Sequence, residues 1–468
     1  MCDGRRRAGL DGAIVSDPYA GARVTVVGLA REGTALARYL VAAGAQVTVS
    51  DLRSPAALGP ALRQVAGLPV RLVLGANRIE DALGANALFL SPGVPLTTPM
   101  VVAAREAGVP LKSEPLLVVE RCPAPLIGVT GSSGKTTTTS LIGAMLRAGP
   151  HRVWVGGNIG IPLIGMLPDI APDDRVVLEL SSFQLAIFDR SPPIAVVTVL
   201  SPDHLDRHAS IEEYYEAKRN IVRFQRPGDV AVLNQDDPNV VRFADGLRSE
   251  VRWFSLTRPV ERGAFQKDGM LWLAGHQPRE LLAVRDLRLL GRHNIANALA
   301  AAVAAAAAGA SDDAVRTALR TFGGVPHRLE VVADLGGVRF VNDSIATSPA
   351  RTVAALESFD RPIIWLAGGR SKNLPIDQLV AVAARRVKRA ILFGEAGPTL
   401  RAGLAAAGFG SVEECDGLET AVARAIEAAA PGDVVLLSPA CASFDQFRDY
   451  EARGEAFRDL VRRLAGEA

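Results

Sequence analysis

Between Val129 and Ser140 the chain reads VTGSSGKTTTTS. Two glycines bracket two serines and lead into a lysine and a run of threonines. The backbone N–H groups of such a loop can face phosphate oxygens. A lysine can neutralise them, and a threonine hydroxyl can bind Mg²⁺. The spacing departs from the general G-x-x-x-x-G-K pattern, because Val129 stands five residues before Gly134. What remains is a shorter G-x-x-G-K-T built from Gly131, Ser132, Ser133, Gly134, Lys135 and Thr136, with Thr137 next. The apolar run Leu126 to Val129 ahead of it predicts a strand, and a helix is expected from Lys135.

Other residues that could do chemistry lie at the ends of apolar runs. A strand expected over Val176 to Leu180 carries Glu179, and an acid beside a phosphate loop commonly holds Mg²⁺ directly or through water. The run VVTVLSPDHLDRH is a strand with a polar tip that presents Asp203, His204, Asp206 and His208 together. His204 reads either as a metal ligand or as a loop histidine. Lys218 falls among apolar positions of a helix in EEYYEAKRNIVRF and reads as a surface lysine with a snorkelling stem. Asn294 and Asn297 are three apart and share a helix face. Their amides suit an adenine edge, with helix capping by Asn294 as the alternative.

The elements that must position these groups are α/β throughout. In ARVTVVGLAREGTALARYLVAAGAQVTVSD a strand (Val24 to Val27) meets Gly28, a helix follows, and a second strand ends at Asp51, a β-α-β unit. A dinucleotide fingerprint would need a second glycine where Ala30 stands. The loop can still offer N–H groups to a phosphate at a helix N-terminus. NAD binding and a bare packing turn are the other readings. Asp51 lies where an acid commonly meets a ribose or base. Leu88 to Pro95 reads as a strand ending in a Pro-Gly turn. After GGVPHRLEVV come the strand-like runs VRFVNDS, PIIWLAGG, RAILFGE and DVVLLSPACAS, each ending in a polar or glycine-rich tip where open α/β sheets keep ligands. Linkers near residue 113 and near Val325-Pro326 divide the chain into 1–113, 114–324 and 325–468. The expected fold is a Rossmann-like domain, a phosphate-loop domain and a second Rossmann-like domain.

The 468 residues exceed one ordinary core. Apolar residues at 49% and charged residues at 22% give a soluble globular balance, and a net charge of +2 gives no reason to expect nucleic acid or an acidic membrane as partner. Cys2, Cys122, Cys415 and Cys441 form no C-x-x-C pair and read as free thiols. The start MCDGRRRAGLDGAIV has arginines but no apolar stretch behind them, so it is not read as a signal peptide. Its arginines suggest no role. The run Ile295 to Ala310 is shorter than the roughly 20 residues of a membrane span and reads as a buried helix. A cytoplasmic location is expected.

Taken in order, VTGSSGKTTT, GGNIG, LELSSFQL, DHLDRH, the YEAK lysine, GRHNIANALAA, PHRLE, NDSIATSP, LAGGRSKN and LLSPACASFDQF resemble the Mur ligase family, the ATP-dependent amide ligases of peptidoglycan precursor synthesis. The resemblance covers essentially the whole chain. LELSSFQL and SPACASFDQF look like the branch that adds D-glutamate to UDP-N-acetylmuramoyl-L-alanine through an acyl phosphate. The resemblance implies ATP on Gly131 to Thr137, Asn294, Asn297, Arg328 and Asp343. It implies two Mg²⁺ ions near Thr136, Glu179, His204 and Lys218, the last carbamylated by CO₂. Lys135, Glu179, His204 and Lys218 become the catalytic set. The sugar nucleotide is expected at Leu29, Ala30, Arg31, Asp51, Arg53, Gly93, Asn158 and His204, which retires NAD. Glutamate is expected at Thr347, Lys372, Ser443, Phe444 and Tyr450, with domain closure about Gly323 to His327. A monomer is expected.

One departure stands out. Members with this activity typically have a lysine where NDSIATS has Ile345, so the pocket's charge must come from Arg351 or Lys372, or its preference for D- over L-glutamate differs. A sister ligase is the alternative within the family. Outside it, the alternative is a phosphate-loop ATPase or switch.

Overall fold

The computed structural model describes residues 17–203, 207–289, 291–372 and 374–466. The chain divides into two compact units, Met1–Lys135 with Pro150–Arg252, and Thr136–Gly149 with Trp253–Ala468.

The first unit holds two parallel sheets. The strands of the N-terminal sheet run in the order Val70–Leu74, Gln46–Asp51, Arg23–Val27, Ala87–Leu90, Leu111–Lys112. Val24, Val26, Val47, Val49 and Phe89 are buried, as β-branched and aromatic residues of a sheet covered on both faces should be, and Leu88 is buried beside them. The chain reverses its direction of travel across the sheet between Arg23–Val27 and Ala87–Leu90. The strand ends on either side of such a reversal open into a crevice. Gly28 to Ala30 and Ser91 to Pro95 lie there. The second sheet runs Val230–Asn234, Ile194–Val197, Leu126–Thr130, Arg175–Glu179, Val153–Gly157, again parallel. Its own reversal falls at Leu126–Thr130, so the loop that begins at Gly131 emerges between the ends of Arg175–Glu179 and Ile194–Val197. The helix Glu114–Arg121, capped by the Ser113 hydroxyl, leads into it.

The second unit contains four short strands, Glu250–Ser255 (from Trp253 onward), Gly263–Lys267, Met270–Ala274 and Arg279–Ala283. The last three form an antiparallel meander that the sequence reading did not anticipate. Its first turn is Asp268-Gly269, both at positive φ, which is the preferred chemistry for a tight hairpin. The alanine-rich run forms the helix Arg292–Ala307, slightly earlier than expected, and ten of its residues are buried. No described helix is long and apolar enough to cross a membrane. The C-terminal sheet runs Glu330–Leu335, Val338–Asn342, Val434–Ala440, Ile363–Gly368, Val387–Phe393, Val412–Cys415, with only the first pair antiparallel. Three neighbouring strands therefore end side by side at Asn342, Ala440 and Gly368. Cys122, Cys415 and Cys441 are free thiols, and Cys2 lies outside the described residues.

Candidate active site

The loop after Leu126–Thr130 is held from three directions. Gly131 and Gly134 adopt φ of 152° and 82°, conformations that favour glycine. A Cβ on Gly131 would overlap the Thr198 hydroxyl. That hydroxyl donates to the Ser133 carbonyl at 2.5 Å, and the Ser132 N–H donates to the Val199 carbonyl at 2.7 Å. Ser132 Oγ accepts from the Tyr214 hydroxyl at 2.9 Å and from the Ser201 N–H at 3.0 Å. Lys135 opens the helix Lys135–Arg147, and its Nζ donates to the carbonyls of Gly131 at 2.8 Å and Ser132 at 3.3 Å.

Lys218 corrects an expectation. It is not a surface lysine: only 1% of it is exposed, on the inner face of the helix Ile211–Arg223. Its Nζ lies over the Tyr214 ring and donates at 2.9 Å to the Gly131 carbonyl that also accepts from Lys135. Burial first, and the neighbouring Lys135 charge second, pull its pKa well below the ordinary lysine value, against the pull of Asp203 and Glu179. The free-amine form is thereby favoured more than in a solvent-exposed lysine.

Glu179 ends its strand beside the loop, in register with Val129, and is 2% exposed. Its Oε1 accepts from Asn158 Nδ2 at 2.7 Å, and its Oε2 is buried with no hydrogen-bond partner. A buried carboxylate oxygen without a partner is costly, and a cation relieves that cost. Among the described residues no group of three His, Cys, Asp or Glu gathers as a ready metal cage. His204 and Asp206 lie outside the described residues. His208 is buried, stacks on Phe183, and its Nε2 lies 3.0 Å from Ser182 Oγ.

Asn158 also lines a cleft of about 740 Å³ at the reversal point of the N-terminal sheet, within the roughly 300–1,000 Å³ usual for small-molecule sites. Ala30, Arg31, Asp51, Arg53 and Gly93 share its wall. Arg31 Nη1 donates to the Gly160 carbonyl at 2.5 Å. Asp51 accepts from the Leu29 N–H at 2.7 Å and takes a two-pronged ion pair from Arg53 at 3.0 and 2.7 Å. Burial pushes the Asp51 carboxyl up, but those bonds outweigh it and hold the group below its usual range.

In the second unit, Asn294 and Asn297 are buried on the inner face of their helix, and Asn297 Nδ2 donates to Asn294 Oδ1 at 3.1 Å. Asn294 does not cap the helix, because the cap position is Gly291. A small recess joins Thr137, His293, Asn294, Gly324 and Arg328. Asp343 is buried, and accepts from the Leu329 N–H at 3.2 Å and the Ser438 hydroxyl at 2.8 Å; burial pushes its carboxyl up to about 7. Lys372 Nζ donates to Thr347 Oγ1 at 2.9 Å, bringing two expected glutamate contacts together. Ser443 is buried, Phe444 is 63% exposed, and Tyr450 opens the helix Tyr450–Ala465. Arg351 Nη1 donates to the Ile345 carbonyl at 3.1 Å, so a cation does lie beside the departure from pattern.

Comparison with known proteins decides the lineage. Residues 22–113 match the Mur ligase MurD-like N-terminal domain, 129–305 the Mur ligase middle domain, and 327–441 the Mur ligase glutamate ligase domain. The chain is 47% identical over 447 residues to the UDP-N-acetylmuramoylalanine–D-glutamate ligase of Symbiobacterium thermophilum, covering 95% of this chain and 98% of that one. The chain belongs to the Mur ligase family. It is also 45% identical to the ligase of that name from Roseiflexus, over 94% of this chain and 98% of the relative. The fold is shared with the UDP-N-acetylmuramate-alanine ligase of Thermotoga maritima, with a TM-score of 0.57 at 18% identity over 96% of this chain and 100% of that one. It is likewise shared with a pseudomurein peptide ligase of Methanothermus fervidus, with a TM-score of 0.55 at 19% identity, covering 95% and 100%.

Three residues of this Mur ligase carry parts of the site that sequence reasoning missed. Thr198 and Tyr214 hold the phosphate loop from neighbouring elements. Arg453 is fully buried and donates to Ser344 Oγ at 3.0 Å, to the carbonyls of Ser344 at 2.9 Å and Cys441 at 3.2 Å, and to that of Gly368 at 3.3 Å. It ties the three strand-end loops that carry the glutamate candidates. In sequence it is one more arginine of an amphipathic helix, and only the topology shows what it reaches.

Proposed function

We propose that this Mur ligase uses ATP to join D-glutamate to the alanyl carboxylate of UDP-N-acetylmuramoyl-L-alanine. The observation that carries this reading is the Asn158–Glu179 bond. It connects the wall of the sugar-nucleotide cleft to the carboxylate beside the phosphate loop, so the far end of a substrate lying in the cleft would reach the γ-phosphate. The name shared by relatives at 39–47% identity supports the amino acid.

A carboxylate attacking a polyanionic phosphate needs cations around both groups. Lys135 supplies one. Glu179, with its unpartnered oxygen, suits Mg²⁺, which would offset the charge of the phosphates. Thr136, His204 and a Lys218 carbamate complete the proposed set of two metal positions. Lys218 is suited to that change: a neutral amine adds to CO₂, forming an N–C bond and releasing one proton. It then offers oxygens instead of a cation. Asn294, Asn297 and Arg328 are assigned to ATP, and Asp343 to its ribose. Asp51, Arg53 and the Leu29 to Arg31 backbone are assigned to the uridine diphosphate, with Gly93 beside it. Lys372 and Thr347 would hold one glutamate carboxylate, with Ser443, Phe444 and Tyr450 around the other. The acyl phosphate then meets the glutamate amine, phosphate leaves, and an amide remains. Closure about Gly323 to His327 would keep water from the acyl phosphate. A monomer in the cytoplasm fits this chemistry.

The test is phosphate release with ATP, Mg²⁺ and the sugar nucleotide, adding D- or L-glutamate in parallel and weighing the product. Turnover with D-glutamate is expected. Turnover with L-glutamate alone would overturn the assigned amino acid and point to Ile345. Release that needs no amino acid would favour a plain ATPase.

A further inference from the structure

Arg453 stands on the helix Tyr450–Ala465 and is 0% exposed, so a bound amino acid does not touch it. Its guanidinium spreads under the ends of three strands. Nε donates to the Ser344 hydroxyl, Nη2 to the carbonyls of Ser344 and Cys441, and Nη1 to the carbonyl of Gly368. Ser344, Gly368 and Cys441 lie two to four residues ahead of Thr347, Lys372 and Ser443, the expected glutamate contacts. The loop ends are shaped to admit the group. A Cβ on Gly369, which is at φ 122°, would come within 3.0 Å of Nη1 and within 2.2 Å of the Ala442 carbonyl oxygen. Ala440 leaves its strand at φ 62°, a conformation uncommon for a residue with a Cβ, and the next carbonyl is the one held by Nη2.

Every one of these acceptors is neutral. Among the described residues no carboxylate pairs with the guanidinium, and Asp445 acts on it only from a longer distance. Burial pulls Arg453 down to about 10, against the charges of Asp445 and Cys441, so it stays a cation at neutral pH. A buried cation without a paired charge is costly. Its charge also reaches Lys372, whose amine is held below the ordinary lysine value by burial, then by Arg351, and to a smaller extent by Arg453.

We propose that the charge of Arg453 makes the amino-acid pocket prefer a second carboxylate, acting through Lys372 and the loops it ties and not by contact. Glutamate as that amino acid rests on the function proposed above. A neutral side chain leaves the buried charge unanswered, whereas a second carboxylate lowers its cost. Away from water such an attraction extends beyond contact distance. Arg453 is thus a positioning residue that also sets specificity.

The experiment measures the KM for D-glutamate and the inhibition constant of D-glutamine, with the full enzyme, ATP, Mg²⁺ and UDP-N-acetylmuramoyl-L-alanine. D-Glutamine has the same shape with one charge removed. The ratio of the two constants reads the preference for charge, and a merely loosened pocket moves both together. Arg453→Gln keeps hydrogen-bond donors and loses the charge. It should narrow the ratio about tenfold. Arg453→Lys keeps the charge and loses the planar fork, so both constants should rise and the ratio should hold. An unchanged ratio in Arg453→Gln, or one narrowed as far in Arg453→Lys, would overturn the inference and leave the function proposed above standing. If Arg453→Gln does not fold, Asp445→Asn decides. Its amide oxygen can still accept the Glu395 N–H that Asp445 takes at 3.2 Å, while the charge opposing Arg453 is gone. The ratio should then widen about twofold, and an unchanged or narrower ratio would overturn the inference. A parent enzyme that does not turn over D-glutamate contradicts the function proposed above, and the inference falls with it.

Discussion

Lys135 and Lys218 both donate to the carbonyl oxygen of Gly131, so two lysine amino groups converge on one acceptor. Their mutual repulsion and the burial of Lys218 favour the neutral amine there. Lys218→Arg keeps the length and the charge but cannot lose its proton or form a carbamate. It is expected to lower turnover at least a hundredfold. With ¹³C-labelled CO₂, the parent should show a carbamate carbon signal that this variant lacks. Turnover near the parent level in the variant would remove Lys218 from the metal set. The depth of Lys218 was not legible in the sequence. The helix period showed it among apolar positions, but a snorkelling stem and a buried amine give the same pattern. Only the ring of Tyr214 and the loop carbonyl tell them apart. Ile345 was legible as a departure, and its remedy was not. Arg351 beside it and Lys372 nearby supply positive charge, and burial with the Arg351 charge holds Lys372 below the ordinary lysine value. Ile345→Lys would add a further cation. It should lower the glutamate KM about threefold to tenfold, on the order of 1 kcal/mol for a partly exposed pair. An unchanged KM would place Ile345 outside the pocket.

At the level of elements, the phosphate loop depends on its flanks as much as on its own sequence. Gly131→Ala would force a Cβ into the Thr198 hydroxyl at a backbone angle that side chains rarely adopt. A cost of about 1–3 kcal/mol is expected, seen as a lower Tm together with a higher KM for ATP. A variant with unchanged Tm and KM would show that the loop relaxes without Thr198. The strand-loop-helix at Leu126 to Arg147 was legible because an apolar strand, two glycines and a lysine are local signals. So were the β-α-β opening and the strand ends that carry Glu179 and Asp343. The antiparallel meander was missed although Asp268-Gly269 carries the hairpin signal, since its strands are short and only partly apolar. Arg453 could not be found from local pattern at all. Its partners are contributed by three loops far apart in sequence, and they converge because strands ending at Asn342, Ala440 and Gly368 are neighbours.

Across the whole molecule, the chemistry requires groups on separate elements to meet while water is kept out. From His327 onward the chain is tied to the C-terminal sheet: the Ile345 N–H donates to the His327 carbonyl at 3.1 Å, and Asn342 Nδ2 lies 3.0 Å from His327 Nδ1. Gly323 has open space at its Cβ position, and Gly324 is at positive φ, so rotation is expected between Gly323 and Pro326. With a non-hydrolysable ATP analogue and both other substrates, the radius of gyration in solution scattering should fall. Identical profiles would contradict closure. The most direct test of the ligase account follows one oxygen. UDP-N-acetylmuramoyl-L-alanine labelled with ¹⁸O in its alanyl carboxylate is turned over with ATP, Mg²⁺ and D-glutamate, and the released phosphate is weighed. The account predicts one ¹⁸O in each phosphate, because the carboxylate oxygen attacks phosphorus and leaves with it when the amide forms. Unlabelled phosphate would mean that water receives the phosphoryl group, and would contradict it.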